Sequence, residues 1–258
     1  MERADSCVVS TNFMLKYSAQ TDIGLKRSNN EDSIDVCRNK IGDILFLVAD
    51  GMGGHNAGEV ASDMVREIVT SAFKKIDNKQ IDYQQFLYDI IKEANTEVYR
   101  QSLVEVSQNN MGTTLSVMIM QGDRIFVGHV GDSRIYYMTD KRVELLTKDH
   151  TLVQAMMDAE TITKDEADHS PYKNILLQAL GTTKNITLHQ MSAKIPKHCH
   201  FVLCSDGLTG SVSSNEIWQI MTSGYELEER VQMLIQLANN RGGGDNVSVI
   251  GIDRDERG

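Results

Sequence analysis

Two long helical patterns stand between groups of short β-branched runs, and that order limits the architectures open to the chain. Ala61, Met64, Val65, Ile68, Val69, Ala72 and Phe73 recur at steps of three and four residues. Phe86, Leu87, Ile90, Ile91, Ala94 and Val98 do the same. Runs suited to strands cover 44–49, 115–119, 125–130, 135–138, 201–204 and 247–252, and a strand-like pattern begins just after Met14. A last helical pattern passes through Leu227, Val231, Leu234, Ile235 and Ala238. Strands and helices are thus segregated rather than alternating, which makes the chain an α+β protein with helices layered on sheets. Residues 15–254 read as a single domain, and 1–14 as a disordered N-terminal tail or an upstream extension. The polar, weakly helical stretch that starts at 151 reads as a flap inserted between strands, reaching to about 184 and placed to cover a site.

Aspartates gather at the ends of these strands. The run ILFLVA ends in Asp50-Gly51 and HFVLC in Ser205-Asp206-Gly207. GHV ends in Gly131-Asp132-Ser133-Arg134, and Gly244-Asp245-Asn246 opens VSVI. A single Asp-Gly is most often only a turn. Four of them in one chain, each abutting a buried-type strand, point to carboxylates brought together, and these repel unless a cation lies between them. Ligation by oxygen alone suits Mg2+ or Mn2+ better than Zn2+. Upstream, Arg27-Ser28-Asn29-Asn30-Glu31-Asp32 adds two acids and a guanidinium fork that matches phosphate oxygens.

Charge and cysteines narrow the partners. A formal net charge of −10 disfavours nucleic acid and anionic membranes. A phosphorylated substrate is compatible with it only where bound metal inverts the local charge. No apolar run approaches the ~20 residues of a membrane span. Cys7, Cys37, Cys199 and Cys204 show neither paired spacing nor the density of a disulfide scaffold, so the chain reads as cytoplasmic and reduced.

Taken together, Arg27-x-x-x-Glu31-Asp32, Val48-Ala-Asp-Gly-Met-Gly-Gly-His55, Gly112-Thr-Thr114, Gly131-Asp-Ser-Arg134, Ser205-Asp-Gly207 and Gly243-Gly-Asp-Asn-Val-Ser-Val249 resemble the metal-dependent protein phosphatases of type 2C. Their order and spacing are similar to those of the bacterial stand-alone branch, over almost the whole chain. The resemblance implies a four-layer sandwich of two antiparallel β-sheets flanked by helices, with metals in a channel at one end. It implies hydrolysis of phosphoserine and phosphothreonine in proteins by water activated between two Mn2+ or Mg2+ ions, with a weaker third ion. Asp50, Asp206 and Asp245 resemble the ligands of the first ion. Asp50 bridges to the second, which also takes Glu31 and the carbonyl of Gly51. Asp132 resembles a ligand of the third. Asp32 resembles the acid that orients the water, and Arg27 the phosphate binder. The implied partners are phosphorylated proteins and a cognate serine/threonine kinase with its substrates, for a monomeric enzyme.

The chain departs from the pattern in two places. Met52 stands where the animal branch has a histidine; His55 is one candidate to protonate the leaving oxygen, and metal-bound water is the other. Gly210 stands where an acid is common, so a third ion has fewer ligands. Other phosphatase chemistries fail on spacing: no cysteine has an arginine six positions on, and Val48 and Cys204 stand where a nucleophilic-aspartate enzyme needs a second aspartate. GMGGHNAG lacks the lysine of a P-loop. The remaining alternative is a catalytically weak, phosphatase-like binding module, which is expected to have lost some of these carboxylates.

Overall fold

The computed structural model describes residues 2–9, 13–53, 57–104 and 111–256. One sheet has the strand order β1 (Glu2–Val9), β2 (Phe13–Asp22), β12 (Val247–Glu256), β11 (Cys199–Cys204), β8 (Arg134–Thr139) and β9 (Arg142–Leu145). The other runs β10 (His189–Lys194), β7 (Arg124–Val130), β6 (Leu115–Gln121), β4 (Ile44–Met52) and β3 (Asp32–Arg38), with the short β5 (Gly112–Thr113) also on β4. Every strand pairing is antiparallel.

Three apolar layers follow from the side-chain alternation of strands. Ile44, Phe46 and Val48 of β4 meet Phe201 and Leu203 of β11 between the sheets. Leu45, Leu47 and Ala49 point the other way, onto Val65 and Val69 of α1 (Ala57–Lys74) and Leu87 and Ile91 of α2 (Tyr83–Val104). On the far side, Val202 of β11 and Val249 of β12 pack against Ile217 of α6 (Ser214–Met221) and Val231, Leu234 and Ile235 of α7 (Leu227–Asn240). Strands buried on both faces must be apolar at every position, and this is why β4 and β11 are continuous hydrophobic runs. The layer order is helices, sheet, sheet, helices, the four-layer α+β sandwich expected.

The segment expected as a tail or extension, Glu2–Val9, forms β1 and pairs along β2, from Glu2 opposite Thr21 to Val9 opposite Met14. The open hydrogen-bonding edge of β2 gives the backbone a ladder to join, and a polar ERADS segment carries no apolar signal of that.

Between β9 and β10 lie α3 (Leu152–Asp158), α4 (Lys164–Asp168) and a returning arm, 174–177. Thr151 caps α3 by accepting from the Gln154 N–H, and Thr163 with Glu166 forms a reciprocal capping box on α4. The arm lies antiparallel to 150–152: Leu152 N–H donates to the Ile175 carbonyl at 2.9 Å, and Leu177 N–H to the His150 carbonyl at 2.8 Å. Among the described residues, no helix is long and apolar enough to cross a membrane.

Candidate metal centre and active site

Asp32 opens β3 directly opposite Asp50 on β4, so one sheet brings two carboxylates to the same end. The backbone around Asp50 is tied on both sides. Its N–H donates to Thr114 Oγ1 at 2.9 Å, and its carbonyl accepts from Thr114 N–H at 2.8 Å and from Thr113 Oγ1 at 3.0 Å. Gly51 N–H donates to the Glu31 carbonyl at 3.1 Å, which also accepts from Ser62 Oγ of α1 at 2.7 Å. A Cβ on Gly51 would stand 2.2 Å from the Gly58 carbonyl oxygen, so only glycine lets the strand end, the Glu31 loop and the start of α1 meet here.

The second sheet supplies the opposite wall. Asp206 follows β11 and opens the short helix α5 (Asp206–Thr209), while Asp245 precedes β12. Asp132 sits in the turn between β7 and β8, where Ser133 Oγ and Thr114 Oγ1 are 2.6 Å apart.

These elements enclose a cavity of about 310 Å³, lined by Glu31, Asp50, Asp132, Asp206 and Asp245, by Arg27 and by the Gly51 turn. Met52, Asn174 and Leu176 also line it. Asp32 is not in the lining. It lies behind the wall, 9% exposed, and its Oδ2 accepts from Ser205 Oγ at 2.7 Å. Ser205 Oγ is itself held by the Ser248 N–H at 3.0 Å. Arg27 donates from Nη2 to Asp245 Oδ2 at 2.7 Å at the half-exposed mouth. His55 lies outside the described residues.

Burial and mutual repulsion disfavour so many negative charges. Burial first, then Asp206 and Asp149, pushes Asp132 up to about 8. Burial pushes Asp32 up to about 7 against the hydrogen bonds from Ser248 and Ser205. Asp50 is raised well above the usual carboxylate range by burial and by Asp32, Asp206 and Asp132, and burial also raises Asp206 and Glu31. Arg27 is raised, chiefly by its hydrogen bond to Asp245.

A wall of half-buried and buried carboxylates at unfavourable ionisation fits divalent cations, which relieve the repulsion. The lining donors among the described residues are all oxygen, with no histidine or cysteine, which fits hard ions such as Mn2+ and Mg2+. Among the described residues, no three acidic, histidine or cysteine side chains already close around one point. Gly210 brings no oxygen from a side chain, and its N–H closes the turn of α5 on the Asp206 carbonyl at 2.7 Å.

Several supporting residues lay inside the sequence motifs without a role. Asn246 is the foremost: its Oδ1 accepts from the Glu31 N–H, and its Nδ2 donates to the carbonyls of Ile23 and Asn29, all at 2.9 Å. Ser205 and Thr114 hold Asp32 and Asp50 as described above. Asn174 and Leu176 come from the arm, and no motif pointed to them.

Residues 25–240 match the family described as Protein phosphatase 2C. The serine/threonine phosphatase stp of Listeria monocytogenes is 37% identical over 238 residues, covering 92% of this chain and 94% of that protein. The crystal structure of the Mycobacterium tuberculosis serine/threonine phosphatase PstP/Ppp superposes with a TM-score of 0.85 at 35% identity, covering 93% of this chain and 98% of that one. The catalytic domain of PstP, crystallised in complex with two manganese ions, gives a TM-score of 0.83 at 33% identity, covering 95% of this chain and 100% of that one.

Proposed function

Because the chain belongs to the protein phosphatase 2C family and is a protein-serine/threonine phosphatase, we propose that it works with two divalent cations, Mn2+ or Mg2+, held by Glu31, Asp50, Asp206, Asp245 and the Gly51 carbonyl. The observation that carries this reading is the single cavity in which these groups and Arg27 converge from both sheets. When bound, such a pair of ions supplies a polarised water as nucleophile and neutralises charge on the phosphoryl oxygens.

The protein's own groups do the rest. Arg27 sits at the mouth with a planar fork that binds two phosphoryl oxygens and carries the charge that builds up on them during transfer. Its ion pair with Asp245 aims the guanidinium across the cavity before substrate arrives. Asp32, held by Ser205 behind the cavity wall and opposite Asp50 in the strand pair, is the acid that orients the attacking water, acting through Asp50 rather than by touching the water. Thr114 and Asn246 hold the Asp50 and Glu31 backbones so that the carboxylates keep their spacing. Met52 cannot give a proton to the leaving oxygen, and His55 is the candidate for that step. Asp132, with Asp206 as neighbour, is the place for a weaker third ion.

The substrates are phosphoserine and phosphothreonine in proteins, with a cognate serine/threonine kinase as the opposing enzyme and a monomer as the working form. Buried free thiols at Cys37, Cys199 and Cys204 suit the reducing cytoplasm. The retention of all six carboxylates around Arg27 argues against a catalytically weak binding module. Hydrolysis of a small aryl phosphate and of a phosphoprotein, each with Mn2+ and with chelator, tests the reading. Activity should be lost in chelator and restored by Mn2+ or Mg2+; full turnover by metal-free protein overturns it.

A further inference from the structure

The arm 174–177 is paired on one edge only. Thr151 and Leu176 face each other as an antiparallel bridge, with hydrogen bonds formed by the residues on either side. In such a pair the N–H and C=O of the two central residues point outward, away from the partner strand. Among the described residues, neither backbone group of Leu176 has a hydrogen-bond partner, although the residue lines the carboxylate cavity. The side chains alternate as in any strand. Asn174 and Leu176 line the cavity, while Ile175 and Leu177 are 44% and 50% exposed.

We propose that this edge is the docking strand for the substrate: an extended segment of the phosphoprotein adds to the arm by main-chain hydrogen bonds to Leu176. This rests on the phosphatase reading above and specifies how the polypeptide part of the substrate is held. The occupant follows from continuity with the cavity, because a chain that delivers a phosphoserine to the carboxylates and Arg27 must pass the arm that forms their rim. Directly opposed residues in a β-pair share a face. A phosphoserine facing the cavity with Asn174 and Leu176 therefore turns both its neighbours onto the face of Ile175 and Leu177. Those neighbours are selected to be apolar or β-branched, and their identity matters less than the backbone amides between them.

The test uses wild-type protein with Mn2+ and a phosphothreonine peptide bearing valine on both sides. Single N-methyl groups are placed in turn on each amide from two residues before to two after the phosphothreonine. At least one methylation should lower kcat/KM about ten-fold or more, the scale of a lost backbone hydrogen bond. Leu176→Pro removes the protein's own donor. It should lower peptide kcat/KM similarly. If every methylated peptide is turned over within about three-fold of the parent, or if Leu176→Pro treats the peptide as wild type does, the docking strand is refuted. Should Leu176→Pro also lose aryl phosphate turnover, the methyl series on the unaltered protein decides. Absence of aryl phosphate hydrolysis in wild type with Mn2+ would instead sink the phosphatase reading itself.

Discussion

Asn246 and Glu31 are 215 positions apart in sequence, yet the side-chain oxygen of one accepts the backbone N–H of the other at 2.9 Å. With its amide nitrogen on the Ile23 and Asn29 carbonyls, Asn246 fixes a loop that starts at one sheet and ends at the carboxylate cavity. Asn246→Ala leaves three part-buried backbone groups without partners, each worth about 1 kcal/mol or more. The expected result is a loss of about 2 kcal/mol or more in urea unfolding, together with a weaker response of melting temperature to Mn2+. An Asn246→Ala protein with wild-type melting in both conditions would show that the loop is held by other contacts.

Arg27 touches one protein partner and is half exposed, so its removal should spare the fold. Arg27→Ala is expected to lower kcat/KM by about 10- to 100-fold, the range of a charge-assisted contact of roughly 1.5–3 kcal/mol. Titration calorimetry should find Mn2+ affinity little changed. Wild-type kinetics on a phosphopeptide would remove Arg27 from phosphate binding.

Asp50 is buried among Asp32, Asp206 and Asp132, which raise its pKa along with burial. Asp50→Asn keeps the shape and discards one repelling charge. In chelator its melting temperature should equal or exceed that of wild type. With millimolar Mn2+ the rise seen in wild type should shrink and turnover should vanish, because binding that favours the folded state is lost. An equal Mn2+-induced rise in the mutant would exclude Asp50 from the site, and unfolding of the mutant even in chelator would assign Asp50 to the turn alone.

The metal-free protein should also respond to pH in a definite direction. Asp132 and Asp32 have folded-state values raised to about 8 and about 7, above those of the unfolded chain. The folded state then binds more protons than the unfolded one between the two values, so stability falls as pH rises through that window. Differential scanning fluorimetry in chelator should show melting temperature dropping from pH 5.5 to 8. Asp132→Asn should flatten the slope, and saturating Mn2+ should remove it. A slope unchanged in Asp132→Asn would mean that this carboxyl is not strained by burial.

How much of this was legible beforehand depended on which faces are buried. The strands β4, β11 and β12 pack on both sides, so their apolar runs announce them, and Asp50, Asp206 and Asp245 at their ends came with them. The edge strands β3 and β10, DSIDVCR and HQMSAK, have half-polar sequences that periodicity does not separate from loop. The carboxylates were readable because charge clustering is a property of residue type. The roles of Asn246 and Ser205 were not, since a neutral polar side chain gains its meaning only from partners that the fold brings near. Asp32 was found by its motif, but its place behind the cavity wall depends on Ser205, which is 173 positions away.

Asp50 and Glu31 are held by one sheet, Asp206 and Asp245 by the other, and Asp132 by the turn that joins them. Neither sheet owns a usable half of the centre. On the proposed two-ion reading, a chain in which only one sheet has formed would therefore have no hydrolytic activity. Ions that bridge the two walls would act as a late fastener, adding stability only after the sheets have docked. Loss of turnover and loss of global structure should then coincide on heating.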